Sequence, residues 1–308
     1  MISVVIPLYN KEKSITTTLE SVLAQTYTDY EVVVVDDGST DSSAEVVRSM
    51  MAKSNKIRLI QKPNGGVCSA RNRGILEAKG YYIALLDGDD IWDKDFLKEQ
   101  VLLIHDFPEA AMWGINFAET RKGKIVRKVA TALPDGYRGY VGHYFEMPKR
   151  VSDLFCSSSV VIRRDVFDKV GMFDERIKYA EDSDMWFRII ATEKVAFYDK
   201  YMVFYQWDAE NRAMQRKRDL RCFLPYYVGK YRNPMFKKNA AFYRWINRWA
   251  ANILRRYYFD GDSNDWKEAK VAMKDIDYAI VPFKYRLLFK WPYGIAKVLD
   301  KLDKMYHK

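Results

Sequence analysis

The chain has 308 residues, 48% of them hydrophobic, which is enough to bury one large core or one domain with a smaller lobe. Its three cysteines are far apart and form no C-x-x-C pair, so neither a disulfide framework nor a thiolate zinc site is indicated. With three histidines in the whole chain, a hard, oxygen-ligated cation such as Mg²⁺ or Mn²⁺ is a better candidate than a histidine-built metal centre.

Charge is unevenly distributed along the chain. The formal net charge is +10, yet residues 209–308 carry 23 Lys and Arg against 10 Asp and Glu, whereas residues 1–208 carry 28 against 31. We therefore predict two regions that face different partners, an acidic one over 1–208 and a basic, aromatic, helical one over 209–308.

The N-terminus predicts the location of the protein. MISVVIPLYN has no basic segment before its apolar run, and no apolar run approaches the ~20 residues of a membrane span. We expect a cytoplasmic protein in a reducing compartment.

Strands and helices alternate through the first part of the chain. Apolar, β-branched segments at 2–7, 31–35, 57–61 and 81–86 predict strands, and the segments that open at Ser14, Ser42 and Val67 predict helices. Ser42-x-x-Glu45 has the form of a capping box. This order is typical of a parallel sheet with both faces covered, whose ligands bind outside the carboxyl ends of the strands.

Two aspartate clusters follow the second and fourth of these strands, in EVVVVDDGSTD and YYIALLDGDDIWD. Carboxylates are costly to desolvate at such positions unless a cation or hydrogen-bond donors are present. Asp37 is suited to a base or ribose, and Asp87 and Asp89, on either side of Gly88, to a divalent ion bridging phosphates. Each cluster taken alone is equally consistent with a simple turn or helix cap.

Between the clusters lies NGGVCSARNRG, a second candidate anion-binding element. Its paired glycines precede a helix whose free N–H groups attract anions, and Arg71 is one turn into that helix, facing the site. The three elements together indicate a nucleotide-binding site with a metal ion.

The ordered set VVIPLYN, DDGSTD, GGVCSARNRG, LLDGDD and GMFDERIKYAEDSDMW resembles the family 2 glycosyltransferases of GT-A fold, the inverting type that builds bacterial surface polysaccharides. The resemblance covers roughly the first 205 residues. It implies a Rossmann-like α/β domain with a mixed sheet over 1–208, with a nucleotide-sugar-binding half at 1–106 and an acceptor half at 107–208. A C-terminal helical extension would follow.

The resemblance also implies roles for individual residues. The donor would be a nucleotide sugar, most simply a UDP-sugar, whose nucleotide contacts the side chains of Pro7, Tyr9, Asp37, Arg71 and Asp87. The metal, Mn²⁺ or Mg²⁺, would bind the D-x-D pair Asp87 and Asp89. Transfer would invert the anomeric carbon.

A catalytic base is implied further along the chain. By similarity to the family's ED motif, Asp182 would take the proton from the acceptor hydroxyl, and Glu181 would shape the acceptor pocket. From position alone, both are also explained as acidic residues that stabilise a helix N-terminus. Trp186 is a candidate to stack on an acceptor sugar, or else a core residue.

A departure from processive synthases narrows the expected function. Their Q-x-x-R-W string is absent, because Ala241 precedes Arg244-Trp245 and Trp245 precedes Arg248-Trp249 at the Gln position. We expect addition of one or a few sugars to a glycan or lipid-linked glycan.

The basic region suggests contact with a membrane. Phe242 to Phe259 and Phe283 to Leu302 mix aromatic residues with Lys and Arg, as do helices that lie on anionic lipid at the inner face of a cytoplasmic membrane. The alternative is that Phe242, Trp245, Trp249, Ile253 and Tyr257 form a stripe packed on protein. No nucleic-acid-binding pattern occurs.

Two other functions stay open, a sugar-phosphate nucleotidyltransferase and a non-catalytic basic membrane- or glycan-binding protein.

Overall fold

The computed structural model describes residues 1–129, 131–147, 154–211, 219–260 and 263–290, and residues 295, 297, 298 and 300. Contacts divide these residues into two compact units. The first comprises Met1–Glu175 and the chain from Asp182 to 211, and the second comprises Arg176–Glu181 and the described chain after 218. The sequence placed its boundary after residue 208, so the structural units differ from it by a few residues there and by the short segment 176–181.

The first half of the first unit alternates strands and helices as the sequence predicts. The elements are β1 (Ile2–Leu8), α1 (Ile15–Leu23), β2 (Tyr30–Asp36), α2 (Ser43–Met51), β3 (Ile57–Gln61), α3 (Val67–Glu77) and β4 (Tyr82–Leu85). All four strands are parallel, in the order β3-β2-β1-β4. The loops after β1, β2 and β4 therefore emerge side by side at one edge of the sheet.

The second half extends the same sheet with mostly antiparallel pairings. Its elements are β5 (Ile91–Trp92), α4 (Phe96–Asp106), β6 (Ala110–Arg121), β7 (Lys124–Lys128), β8 (Arg138–Tyr140), β9 (Val160–Arg163), α5 (Asp165–Val170), α6 (Glu181–Thr192) and β10 (Lys194–Gln206). Within the described residues the order continues from β4 through β9, β6 and β10 to β5, and β9 is antiparallel to both of its neighbours, although β6 and β10 are parallel. The predicted mixed α/β sheet is confirmed.

The core lies on both faces of the parallel strands. Val32 to Val35 are fully buried, because alternate side chains point to opposite faces and helices cover each face. Gly74 lets α3 approach the sheet closely, since a Cβ atom there would stand 2.3 Å from Cγ1 of Val5.

Two local predictions were wrong. The Ser42 side chain does not cap α2, and Oδ1 of Asp41 instead accepts a hydrogen bond from the Ser43 amide at 3.0 Å. The sequence SSSVVI at residues 157–162 predicts a strand, but residues 157–159 form a 3₁₀ turn and the strand begins at Val160. In both places a side chain that bonds nearby backbone competes with the regular element.

The second unit is helical, which confirms the predicted C-terminal extension. It contains α7 (Pro234–Lys237), α8 (Ala240–Asp260), α9 (Ser263–Ala272) and α10 (Phe283–Lys290), with 3₁₀ segments before α7 and between α9 and α10. Most of the predicted segment beyond 290 lies outside the described residues. In the part of the chain that is described, no helix combines the length and apolar character that crossing a bilayer requires.

The buried face of α8 differs from the predicted stripe. Phe242 is fully buried as expected, but Trp245, Trp249, Ile253 and Tyr257 are half-buried. The packed positions are those spaced by four from Phe242, namely Ile246, Ala250, Leu254 and Tyr258.

Candidate functional site

The site is built from the loops at the carboxyl ends of β1, β2 and β4, and from the start of α6. Of the residues that the sequence singles out, Pro7, Tyr9, Asp37, Asp87 and Asp89 belong to those three strand ends. Because β2 and β4 pair with opposite sides of β1, both aspartate clusters flank the end of one central strand. This is the edge at which parallel α/β sheets bind ligands.

Asp37 organises the glycine turn before α3. Its carboxylate, 2% exposed, accepts hydrogen bonds from the amides of Gly65 and Gly66 at 2.9 and 2.7 Å, and from Nζ of Lys62 at 2.6 Å. Gly66 has φ of +90°, which favours glycine. These three hydrogen bonds occupy three of the about four acceptor positions that a carboxylate offers.

Arg71 connects the D-x-D turn to the loop that follows α5. Its guanidinium is buried, lies 2.7 Å from Oδ1 of Asp87 and stands over the ring of Phe173 at 5.4 Å. The next residue, Asn72, exchanges hydrogen bonds with the main chain of Phe173 at 2.9 and 3.0 Å. The loop that follows α5 is thus fixed to α3 at Phe173.

The D-x-D pair is held by cationic side chains. Asp87 bonds Arg71, and Oδ2 of Asp89 lies 2.6 Å from Nζ of Lys11. Burial raises the pKa of Asp89, the Lys11 ammonium opposes this rise, and the Asp87 carboxylate adds to it. The accumulated carboxylate charge is suited to a cation.

Asp90, the last residue of the cluster, is fully buried behind the pair. Oδ2 accepts a hydrogen bond from the Ser158 hydroxyl at 2.5 Å and Oδ1 accepts one from the Gln206 amide at 3.2 Å. Burial raises the pKa of Asp90 well above its usual range, and the charges of Asp89 and Asp87 raise it further. Asp90 therefore ties the D-x-D turn to β10 and to the turn before β9.

The residues present fit a divalent ion as a partial ligand set. Among the described residues, no group of three or more His, Cys, Asp and Glu side chains is arranged to hold a metal. However, Mg²⁺ is commonly bound by one or two carboxylates completed by substrate phosphates and water. Asp87 and Asp89 supply such oxygens.

Asp182, the predicted base, is the second residue of α6 and is half-buried. Burial raises its pKa, the Arg71 guanidinium and the Ser183 amide lower it, and the charge of Asp87 raises it. Asp182 thus interacts electrostatically with both Arg71 and Asp87. Ala180, just before the helix, has φ of +59°, a strained value for a residue with a Cβ atom.

The neighbours of Asp182 have different surroundings. Glu181 is half-buried at the first position of α6 and belongs by its contacts to the second unit. Asp184 is fully buried, and its Oδ2 lies 2.9 Å from the guanidinium of Arg188, which also bonds the carbonyl oxygens of Val170 and Gly171. Asp184 is therefore structural.

Trp186 does not fit its predicted role. Its side chain is 2% exposed and packs edge to face against Phe173, with ring centroids 6.3 Å apart. The helix turns this position toward the core, so the ring has no face to offer to a sugar in this structure.

Several residues that contact the site were not predicted from the sequence. Lys62 directly follows β3, so the strand-end rule that found Asp37 could have found it. Ser158 and Glu210 are contributed by turns far along the chain from the residues they contact, and no local pattern marks them.

Comparison with known proteins identifies the family. The profile described as Glycosyl transferase family 2 matches residues 3–171, more than half of the chain. The chain therefore belongs to glycosyl transferase family 2.

Individual relatives agree with this assignment. An uncharacterized glycosyltransferase of Rickettsia felis is 29% identical over 212 residues, which are 68% of this chain and 35% of that protein. This chain thus spans about a third of that relative's length. S. aureus TarS 1-349 superposes with a TM-score of 0.70 at 20% identity, covering 97% of this chain and 88% of the other. A structure of TarS 1-349 in complex with UDP-GlcNAc superposes with a TM-score of 0.68 at 21% identity, over the same shares of both chains. These likenesses show the fold.

Proposed function

We propose that this protein transfers a sugar from a nucleoside-diphosphate sugar, a UDP-sugar, to a hydroxyl group of a glycan. The observation that carries the proposal is the convergence of Asp37, Arg71, Asp87, Asp89 and Asp182 at one edge of the sheet. Family membership favours sugar transfer over the nucleotidyl transfer that the sequence left open. The complex of TarS 1-349 with UDP-GlcNAc supports a uridine nucleotide.

The donor nucleotide would bind along the ends of β1 and β2. Asp37 accepts a hydrogen bond from the base or ribose, while Pro7 and Tyr9 line the same edge at the end of β1. The amides of Gly65 and Gly66 are already engaged by Asp37, so this turn holds the carboxylate in place instead of binding phosphate directly.

The sugar would lie between Asp87 and Asp182. Asp182 removes the proton of the acceptor hydroxyl as its oxygen attacks C1, and the bond from C1 to the diphosphate oxygen breaks on the opposite face. Such a single displacement inverts the anomeric carbon, so an α-linked donor gives a β-linked product. Glu181 would shape the acceptor pocket.

The diphosphate leaving group develops negative charge that the site would have to offset. Mn²⁺ or Mg²⁺ held by Asp87 and Asp89 would neutralise the developing diphosphate charge. Arg71 orients Asp87 for this task through their ion pair.

The test is to incubate the protein with a panel of nucleotide sugars, Mn²⁺ and glycan acceptors, and to measure nucleoside-diphosphate release. NMR of the product then gives its anomeric configuration. We expect turnover with a UDP-sugar and a β-linked product from an α-linked donor. If none of the nucleotide sugars supports turnover, the proposed activity is contradicted. If the product retains the anomeric configuration of the donor, the proposed mechanism is contradicted.

A membrane-bound, lipid-linked acceptor is supported by the surface of α8. Arg244, Arg248 and Arg256 are exposed and spaced by multiples of four residues, which places them on one side of the helix. Beside them Trp245 and Trp249 stack with ring centroids 5.9 Å apart and an interplanar angle of 9°. Cations next to amphipathic rings favour an anionic lipid surface. We propose non-processive transfer at that surface.

A further inference from the structure

Lys11 places a cation on a carboxylate that the proposed function assigns to a metal ion. Its Nζ lies 2.6 Å from Oδ2 of Asp89, and the two side chains are 12% and 16% exposed. The same ammonium donates a hydrogen bond to the main-chain oxygen of Glu210. Lys11 thus joins the loop after β1, the D-x-D turn and the segment that follows β10.

This arrangement is fixed by a second set of contacts. The Glu210 carboxylate accepts hydrogen bonds from the amides of Lys13 and Ser14, both at 3.1 Å, and from the Ser14 hydroxyl at 2.5 Å. The Lys11 amide is held by the Ser43 hydroxyl at 2.8 Å. The ammonium is therefore positioned from both ends, by its own backbone and by Glu210.

We propose that Lys11 competes with the divalent cation for Asp89, so that the concentration of metal ion needed to load the site is set by displacement of the Lys11 ammonium. The proposal rests on the metal dependence of the proposed function. Two cations on one carboxylate oxygen repel each other strongly in a buried setting, so ammonium and metal ion exclude one another there. Displacement also breaks the hydrogen bond to Glu210, which links metal loading to the segment after β10.

The experiment measures Mn²⁺ binding directly, by the loss of the free-ion EPR signal, in full-length protein with excess UDP. Lys11→Met should bind Mn²⁺ at least about tenfold more tightly than wild type, because one positive charge a few ångströms from the ligand oxygen is removed. Lys11→Arg keeps the charge and should bind as weakly as wild type. Lys13→Met removes an exposed charge two residues away and should also leave the affinity unchanged.

Asp89→Asn separates the two proposals, and thermal melts of each variant confirm that it is folded. If Asp89→Asn abolishes Mn²⁺ binding while Lys11→Met binds no more tightly than wild type, the role of Lys11 is overturned and the metal site stands. If neither wild type nor Lys11→Met binds Mn²⁺, both the competition and the metal dependence are overturned.

Discussion

The chemistry proposed for this protein depends on one half-buried carboxylate. Asp182 is distinguished from its neighbours by its surroundings, since Asp184 is fully buried in an ion pair with Arg188 and Glu181 is grouped with the other unit. The Arg71 guanidinium lowers the pKa of Asp182, which favours the ionised form that a base requires.

Asp182→Asn should therefore keep donor binding and lose sugar transfer. The substitution is nearly isosteric but removes the proton acceptor, and a general base contributes ~10²–10⁴-fold to the rate. Steady-state turnover and UDP affinity are the measurements, with Glu181→Gln as the matched variant. Turnover by Asp182→Asn within a few-fold of wild type, together with a large loss in Glu181→Gln, would assign the base to Glu181.

The pH dependence of turnover should report the same carboxyl. Burial raises the pKa of Asp182 above its ordinary value, so the active, ionised form is lost at a higher pH than for an exposed aspartate. Below that pKa the rate should fall about tenfold per pH unit, and above it the rate should level off. The rate of sugar transfer at saturating substrate, measured from pH 4 to 8, checks this. A rate still constant down to the pKa of ~3.9 of a free Asp side chain would contradict it.

At this scale the sequence predicted the positions of residues at strand ends better than their contacts. The strand-end positions of Asp37, Asp87 and Asp89 follow from local pattern, because parallel strands bring their carboxyl ends together. The partners of these residues do not follow from it. Lys11 and Glu210 meet across 199 positions of the chain, and Trp186 looks the same in sequence whether its ring faces a sugar or the core.

Among the elements, α6 shows how the position of the base is maintained. Arg188, one turn beyond Asp184, is 3% exposed and donates hydrogen bonds to the carbonyl oxygens of Val170, Gly171 and Met172 at 2.7, 2.9 and 3.0 Å. This single side chain attaches the end of α5 and the loop after it to α6. It also satisfies carbonyl groups that a helix C-terminus leaves without intrahelical partners.

Arg188→Met should destabilise the first unit strongly. It removes the buried ion pair between Arg188 and Asp184, a change that typically costs about 3–5 kcal/mol of unfolding free energy. Urea unfolding measures the loss. Arg221→Met breaks an exposed pair with Asp219 and should cost less than about 1 kcal/mol. Equal effects of the two substitutions would contradict the structural role assigned to Arg188.

Element bounds were predictable where the apolar pattern is continuous. β3 has the predicted bounds, α3 begins at the predicted residue, and β1, β2 and β4 differ from the prediction by one residue at one or both ends. The apolar pattern gave the wrong structure at residues 157–159. The buried side chains there are polar serines, and hydrogen bonds compensate for their burial. It also misplaced the packed face of α8, because aromatic residues occupy both the buried face and its margin.

The whole molecule combines an acidic unit that carries the site with a basic helical unit. The distribution of charge along the chain indicates this division, since residues 209–308 carry 23 basic against 10 acidic side chains. Charge alone does not locate the binding surface. The exposed arginines of α8 are the part of the described second unit that offers aligned cations beside aromatic rings.

Replacing Arg244, Arg248 and Arg256 together with Gln should weaken binding to anionic vesicles. Each cation near such a surface contributes about 1 kcal/mol, so the loss of three corresponds to about a hundredfold. Co-sedimentation at ~0.1 M salt measures it, with Lys122, Lys124 and Lys128 of the exposed β6–β7 hairpin replaced by Gln as a control of equal charge. If both variants lose equal vesicle affinity, net charge and not the α8 surface accounts for the binding. If the wild-type protein does not bind anionic vesicles, the membrane proposal is contradicted.

Thermal unfolding with UDP and Mn²⁺ tests whether the strand-end carboxylates bind a nucleoside diphosphate together with a divalent ion. At a hundredfold excess over the dissociation constant, binding should stabilise the fold by ~2.7 kcal/mol and raise the melting temperature. Asp89→Ala should lose most of this rise, whereas Asp29→Ala, an exposed acid ahead of β2, should keep it. An undiminished rise in Asp89→Ala, or no rise in wild type with UDP or any other nucleoside diphosphate, would contradict the site described here.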